Sequence, residues 1–590
     1  MAQIHELLSA QQHVQSISQQ APASTTHASA APLTVNGHPS GWTSSTRIES
    51  AAEVYALYCD CQPLPLLADL EKSSFAARDT GLQLAVGLLA GRFDRDGRHI
   101  VRPTQQQQQQ LHLLRATVMQ TIAEGPVELS TIQTLCLLCL IEFNDSSPAR
   151  ASTYSSLAMD LTFSAGLASE YSRSGLADFE ERRRCYWSVV ILKNLYGNMA
   201  GTFSFLPSDY TPKHPTSTQP PAGSSSNITE PGLPQPDDSL TGRATTQDLG
   251  ILAYMTSMSE LWAKTIRYAQ RRGKSQQPPP WATESEYQRI MAQLMELETK
   301  MPYKYRFKPA RFADYTTAEL QSSRTFWSPW LVNQMLYHSL LCLLNHPLIL
   351  SLQLRNFRMT MVPEVFLQHT DDLTQTHTNW VIHLIDQVKA KDFRLTDPYP
   401  AYCVAIVATI FLQQSYADDD EVRTSKQENF TKCLEFVRDL GAYWPRVAQL
   451  GNKVEQFQQV VSTSSQNAAN APDGKHYIDL RLFWEIIESC FTTELPAGPE
   501  PYFGTTLLAH RATRSADVVN GRLLPPPTRL DRGASAANTP SQRLINPGFE
   551  QLQHSLPVVD DQLSVLAQSY FAQGQDFVNL DDWWYPEQGV

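Results

Sequence analysis

Residues 130–143, STIQTLCLLCLIEF, decide the fold class. Ile132, Leu135, Cys136, Cys139, Leu140 and Phe143 recur at i, i+3, i+4, i+7, i+8 and i+11, the stripe of one buried helix face. Ser130 and Gln133 stand at capping-box spacing just ahead of it. Working outward, Ser147-Pro148 predicts an N-cap and first position for a second helix. Tyr154, Leu157, Ala158, Leu161 and Ala165 keep helical spacing there until Gly166. Asp178 and Glu181 predict another capping box before Tyr186, Trp187, Val190, Ile191, Asn194 and Leu195. Ser328-Pro329 again reads as cap and first position, for a helix carrying Leu331, Met335, His338, Leu341 and Cys342 that Pro347 stops. Further stripes fall at 380–388, 403–412 and 430–440, and 477–491 reads as a last helix. No sustained alternation of period two occurs, nor any series of Asn-Gly hairpins. The predicted class is all-α: a large multi-helix domain between disordered tails.

The chain divides by composition. Residues 1–46 are rich in Gln, Ser, Ala and Thr and read as a disordered tail, with a short helical stripe at Ile4, Leu7, Leu8, Val14 and Ile17. Residues 47–206 form a first helical block, and 207–245, rich in Pro, Ser, Thr and Gly, a linker or long loop. Residues 246–495 form a second helical block, 496–560 a Pro-rich disordered linker, and 561–590 an acidic-aromatic segment.

The 590 residues carry a net charge of −12, unevenly placed. No Lys or Arg precedes Arg47 or follows Arg543; Glu6 before and seven acids after leave the middle, 47–543, at only −4. Bulk attraction to nucleic acid or an anionic membrane is not expected. Without a basic start or an apolar h-region, the first 46 residues do not read as a secretory signal. The longest apolar run, 402–412, is too short to span a membrane. Nine cysteines are too sparse for a disulfide framework, so the compartment reads as reducing: cytosol or nucleus.

Most enzyme signatures fail. Gly273-Lys274-Ser275 ends like a phosphate loop, but Tyr268 stands where its first glycine is required. G-x-G-x-x-G, G-x-S-x-G and H-E-x-x-H are absent. The D-D-x-x-D/E spacing that holds Mg²⁺ on a helix is broken by Val422 after Asp418-Asp419-Asp420-Glu421, and by Gln375 after Asp371-Asp372. Cys136 and Cys139 make a C-x-x-C, but they lie on an apolar stripe and lack a second ligand pair, so they read as core. Cys59 and Cys61 have the wrong spacing, and His369, Asp371 and His377 are too loosely spaced for a metal. The sequence therefore predicts no catalytic residue, no metal and no cofactor. Arg182-Arg183-Arg184 reads as a solvated face behind two helix-start acids, and Arg271-Arg272-Gly273-Lys274 with Arg267 as a weak nuclear-import patch.

The C-terminal segment is more specific. Phe571, Phe577, Leu580, Trp583 and Trp584 interleave with Asp576, Asp581 and Asp582. Acids keep such aromatics solvated, and aromatics so exposed dock into a partner's groove. Phe577, Leu580 and Trp584 fall on one helix face. Two readings stand: an activation surface that folds on a coactivator, or a terminal helix packed back on the core.

Four segments together resemble a known family. They are Ile132-Gln-Thr-Leu-Cys-Leu-Leu-Cys-Leu-Ile141 with Ser155-Ser-Leu-Ala-Met-Asp-Leu-Thr-Phe-Ser-Ala-Gly-Leu167, then Glu180-Glu-Arg-Arg-Arg-Cys-Tyr-Trp-Ser-Val-Val-Ile-Leu192, then Met335-Leu-Tyr-His-Ser-Leu-Leu-Cys-Leu-Leu-Asn-His-Pro-Leu348. In order and spacing they are similar to the fungal-specific transcription factor domain, over about residues 48–460. The resemblance implies an all-helical regulatory domain and a nuclear, non-enzymatic regulator of a nutrient or secondary-metabolite gene set. It also implies coactivator or other transcription partners and a homodimer. The family's six-cysteine zinc cluster, whose basic helix reads DNA, has no counterpart here: no cysteine precedes Cys59. DNA contact is therefore expected only through an upstream zinc-cluster exon or through a partner. An all-α cytosolic enzyme and a helical scaffold remain the alternatives.

Overall fold

The computed structural model describes residues 45–68, 70, 72–94, 104–168, 176–197, 211–217, 248–271, 278–354, 357, 362–415, 420–469, 476–490 and 520–523. They fold as an all-α assembly. Its longer helices are α1 (Ser45–Tyr58), α2 (Thr80–Ala90), α3 (Gln105–Glu124), α4 (Leu129–Asn144), α5 (Pro148–Ser164) and α6 (Leu176–Tyr196). They continue with α7 (Ile251–Gln270), α8 (Glu286–Lys300), α9 (Arg324–Leu344), α10 (Pro347–Leu354) and α11 (Glu364–Ala390). The last are α12 (Tyr399–Gln414), α13 (Asp420–Gly441), α14 (Pro445–Ala469) and α15 (Leu480–Ile487). A four-residue antiparallel pair, β1 (His476–Asp479) with β2 (Asn520–Leu523), is the departure from helix among the described residues. Four residues are too short to register as alternation in a sequence.

Three helices are buried all round and form the centre. In α9 every residue but Thr325 is buried, and α4 from Thr131 and α12 through Leu412 are equally enclosed. A helix apolar on all faces belongs inside other helices. α9 packs against α7, α11 and α12, and α4 against α2, α5 and α6. The 324–354 stretch is long and apolar enough to cross a membrane by composition, but 83% of its most apolar window is buried inside the fold. The run at 402–412 is therefore not the longest apolar one, because Asn333, Gln334 and His338 disguise α9 in the sequence.

Helices from either side of the 198–247 segment share one core. Asn194 donates to Ser259 Oγ at 3.1 Å, the Arg92 guanidinium lies over the Trp444 ring at 5.1 Å, and that of Arg446 over Phe143 at 4.5 Å. Buried Glu142 takes Arg115 from α3 at 2.5 Å and Arg150 from α5 at 3.2 Å.

The helix starts differ from the sequence expectation in four places. α4 begins at Leu129 with Glu128 as N-cap, so Ser130 and Gln133 make no capping box. Ser147 and Pro148 hold the predicted positions, but the serine side chain makes no cap bond. α6 begins at Leu176, which puts Asp178 inside the helix. α9 begins at Arg324, leaving Pro329 inside it rather than at its first position. The Ser328 hydroxyl instead donates to Gln62 Oε1 at 3.1 Å. Complete capping boxes occur at Thr104 with Gln107 and at Thr316 with Glu319.

Candidate functional site

The charged start of α6 organises a contact region instead of a solvated face. Glu181 binds Arg78 and accepts from Gln133 Nε2 at 2.8 Å. The three arginines do not fan outward. Arg182 donates to the Gly166 carbonyl at 3.2 Å, and Arg184 donates to the Leu67 and Thr216 carbonyls, both at 3.1 Å. Arg183 lies 3.9 Å from Glu180. The sequence missed this because a charge run carries no sign of which loop returns to it.

That returning loop is 211–217, within the stretch expected to be a linker or long loop. Glu180 accepts the Thr216 N–H at 2.9 Å and its hydroxyl at 3.2 Å. Trp187 Nε1 donates to the Lys213 carbonyl at 3.0 Å, and the His214 ring stacks on the Trp187 ring at 4.2 Å. Ser217 Oγ then accepts the N–H of Leu252 in the first turn of α7. The strap thus joins α6, through one carboxylate and one indole, to α7, through the Ser217 hydroxyl. A charged hydrogen bond contributes about 1.5–3 kcal/mol, so Glu180→Ala is expected to raise the open population of the strap roughly tenfold. Limited proteolysis within 198–247 reads that increase as a faster cleavage rate.

The residues weighed as chemistry take structural positions. All nine cysteines are free and buried. Cys136 and Cys139 lie in the core of α4, and burial pushes the Cys139 thiol up to about 12. Such thiols are unreactive. Asp371 is fully buried on α11, pushed up to about 7 by burial and then by Asp372. His377 meets His338 of α9, Nδ1 to Nδ1 at 2.8 Å, and His338 stacks on Trp380 at 5.2 Å. Burial holds both rings well below the ordinary histidine range, so both are neutral. Among the described residues no group of three or more His, Cys, Asp or Glu is placed to hold a metal ion. Asp420 and Glu421 open α13. Arg271 binds Glu286 at 2.5 Å.

Asn345-His346-Pro347 has a local explanation. His346 Nδ1 accepts the Leu348 N–H at 3.2 Å while Nε2 meets Thr409 Oγ1 at 2.8 Å. The imidazole caps α10, whose first residue is proline. Burial lowers His346 to about 3. Its folded value lies below its unfolded one, so stability is lost as pH falls from about 6.5 toward about 3. Asp371 acts oppositely: its raised value makes stability fall as pH rises from about 4 to about 7. His346→Asn keeps an acceptor for Leu348 and removes the titration. Its acid-side stability curve is expected to be shallower than the parent's by about 1.4 kcal/mol per pH unit between pH 6 and 4, read by urea unfolding.

Phe571, Phe577, Leu580, Trp583, Trp584, Asp576, Asp581 and Asp582 lie outside the described residues, as do Arg272–Lys274 and the stripe at Ile4–Ile17.

Residues 59–326 match the Fungal specific transcription factor domain. The match ends short of the 335–348 stretch, although α9 runs through its boundary. The chain is similar to a Zn(2)-C6 fungal-type transcription factor, FTF1c of Fusarium oxysporum f. sp. lycopersici, at 21% identity over 54% of this chain and 35% of the relative. It is also similar to FTF2 and FTF1a of that organism, Zn(2)-C6 fungal-type transcription factors, at 19% and 20% identity over 34% of this chain and 18% of each. The chain thus spans about a third of the first relative's length and under a fifth of the others'. No solved structure matches it.

Proposed function

We infer, from a chain whose residues 59–326 match the Fungal specific transcription factor domain, that this protein regulates transcription. That match carries the reading. The charged helix α6, with its half-buried ion pairs and docked strap, is consistent with a regulatory module rather than a reaction vessel. In this reading the protein works in the nucleus, on a nutrient or secondary-metabolite gene set, and performs no catalysis.

The relatives are named for a Zn(2)-C6 module. Here DNA would be reached through such a segment joined to the chain, or through a partner protein, with homodimerisation available to either route. The acidic-aromatic segment 561–590, with Phe577 and Trp584 at its centre, would recruit a coactivator or another transcription protein. Imaging of the tagged protein under inducing conditions tests the compartment. Nuclear accumulation is expected, and confinement to the cytosol contradicts the reading.

A further inference from the structure

The strap 211–217 carries a hydroxyl that is open to solvent and also holds the strap down. Thr216 is exposed, in a stretch without helix or strand. Its N–H and its hydroxyl both donate to one carboxylate, Glu180, at 2.9 and 3.2 Å. The other hydroxyls of the strap are less accessible. Thr211 and Ser217 are half-buried. Ser217 Oγ accepts the Leu252 N–H at 3.2 Å and lies 2.4 Å from where a side chain on Gly250 would begin.

The cations around Glu180 are committed. Arg184 Nε donates to Glu180 at 3.0 Å, while Nη1 and Nη2 hold the Leu67 and Thr216 carbonyls. Arg183 stands 3.9 Å from the same carboxylate. A phosphate on Thr216 has no proton to donate to Glu180 at neutral pH, and it sets nearly two negative charges beside that carboxylate. Arg184 could turn to the phosphate only by leaving its carbonyls. The charge pattern ahead of Thr216 is simple. Lys213, exposed, stands three residues before it. Burial lowers His214 to about 4, so that ring is neutral and Lys213 is the one charge of the strap. A lone base at a fixed distance before a hydroxyl is a pattern that an acidic pocket on a kinase can read.

We propose that Thr216 is a phosphorylation site for a protein kinase that recognises a base three positions upstream, and that the phosphate releases the strap from α6 and from the start of α7. In the transfer, Thr216 Oγ1 bonds to the γ-phosphorus of ATP. The bond from that phosphorus to the β–γ bridging oxygen breaks, ADP leaves, and the hydroxyl proton passes to the kinase's base. The docked hydroxyl is hydrogen-bonded to Glu180, so the kinase acts on the open population of the strap. The phosphate then holds the strap open, because it binds the open state and is repelled in the closed one.

The test uses the tagged full chain isolated from its own cells, half of it treated with a phosphatase. Peptide mapping is expected to place phosphate on Thr216. The untreated half should be cut within 198–247 roughly tenfold faster than the treated half, a difference absent from Thr216→Val. Thr216→Glu should reproduce the faster cleavage. Thr216→Val, which loses the hydroxyl without gaining charge, should be cut at a rate between those of Thr216→Glu and the dephosphorylated parent. Phosphate missing from Thr216, or carried by Ser217 instead, would overturn the site. Cleavage that is unchanged or slower in the phosphorylated protein would overturn the release and make Arg183 and Arg184 a clamp for the phosphate. Both readouts are independent of the transcriptional reading, and their failure leaves that reading standing.

Discussion

Arg324→Ala is expected to lower the stability of the helical domain by about 3–5 kcal/mol. The guanidinium is buried and faces no carboxylate. Its Nε donates to the Leu57 carbonyl at 2.8 Å, and Nη1 to Gln321 Oε1 at 2.8 Å. Nη2 donates to Gln62 Oε1 at 2.8 Å and to the Arg394 carbonyl at 2.5 Å. Its plane sits between the Tyr58 and Phe393 rings, 5.2 and 4.9 Å from their centroids. Burial lowers its proton affinity to about 10, so the cation persists at neutral pH. One side chain thus fastens the end of α1, its following loop and the α11–α12 connection to the start of α9. Removing it relieves the desolvation of a charge but strands several carbonyl-type acceptors, at about 1–3 kcal/mol each, and that loss wins. Arg324→Lys should recover little, because an ammonium cannot reproduce the flat fork between two rings. Urea unfolding checks both, with a lower midpoint expected at unchanged slope.

Fusing residues 545–590 to a heterologous DNA-binding domain should activate a reporter, and Phe577→Ala with Trp584→Ala should return it to background. The segment carries seven acids and no base. Such a composition keeps aromatics in water until a partner's apolar groove removes them. If Phe577 and Trp584 anchor such a contact, as their spacing predicts, losing both removes on the order of 2 kcal/mol or more apiece, enough to erase a micromolar contact. Unchanged activation by the double variant would sink the docking mechanism.

The apolar stripes were legible as helix but understated the burial. Ile132, Leu135 and Cys139 are 0–1% exposed as their i, i+3, i+7 spacing predicts, and so are Leu137 and Leu138 off that stripe, because other helices enclose α4 on every face. Helix starts were less legible, since several residues that fit a cap are used in tertiary contacts. Glu181 serves Arg78, Ser328 serves Gln62, and Gln133 serves Glu181. The capping boxes that formed, Thr104 with Gln107 and Thr316 with Glu319, carry the same local signal but lie in weakly apolar sequence. The strap on Trp187 and the role of Arg324 were not legible at all. Apart from Gln321, their partners are 26 to 267 residues away, and no local pattern reports such pairings. Only the resemblance, built on α4, α5 and the charged start of α6, reached past the fold toward function.

The regulatory account is tested most directly by chromatin profiling of the tagged protein in its own cells, paired with transcripts from a deletion strain. The account predicts enrichment at a limited set of promoters whose transcripts change in the deletion. Enrichment at no promoter, with those transcripts unchanged, would contradict it.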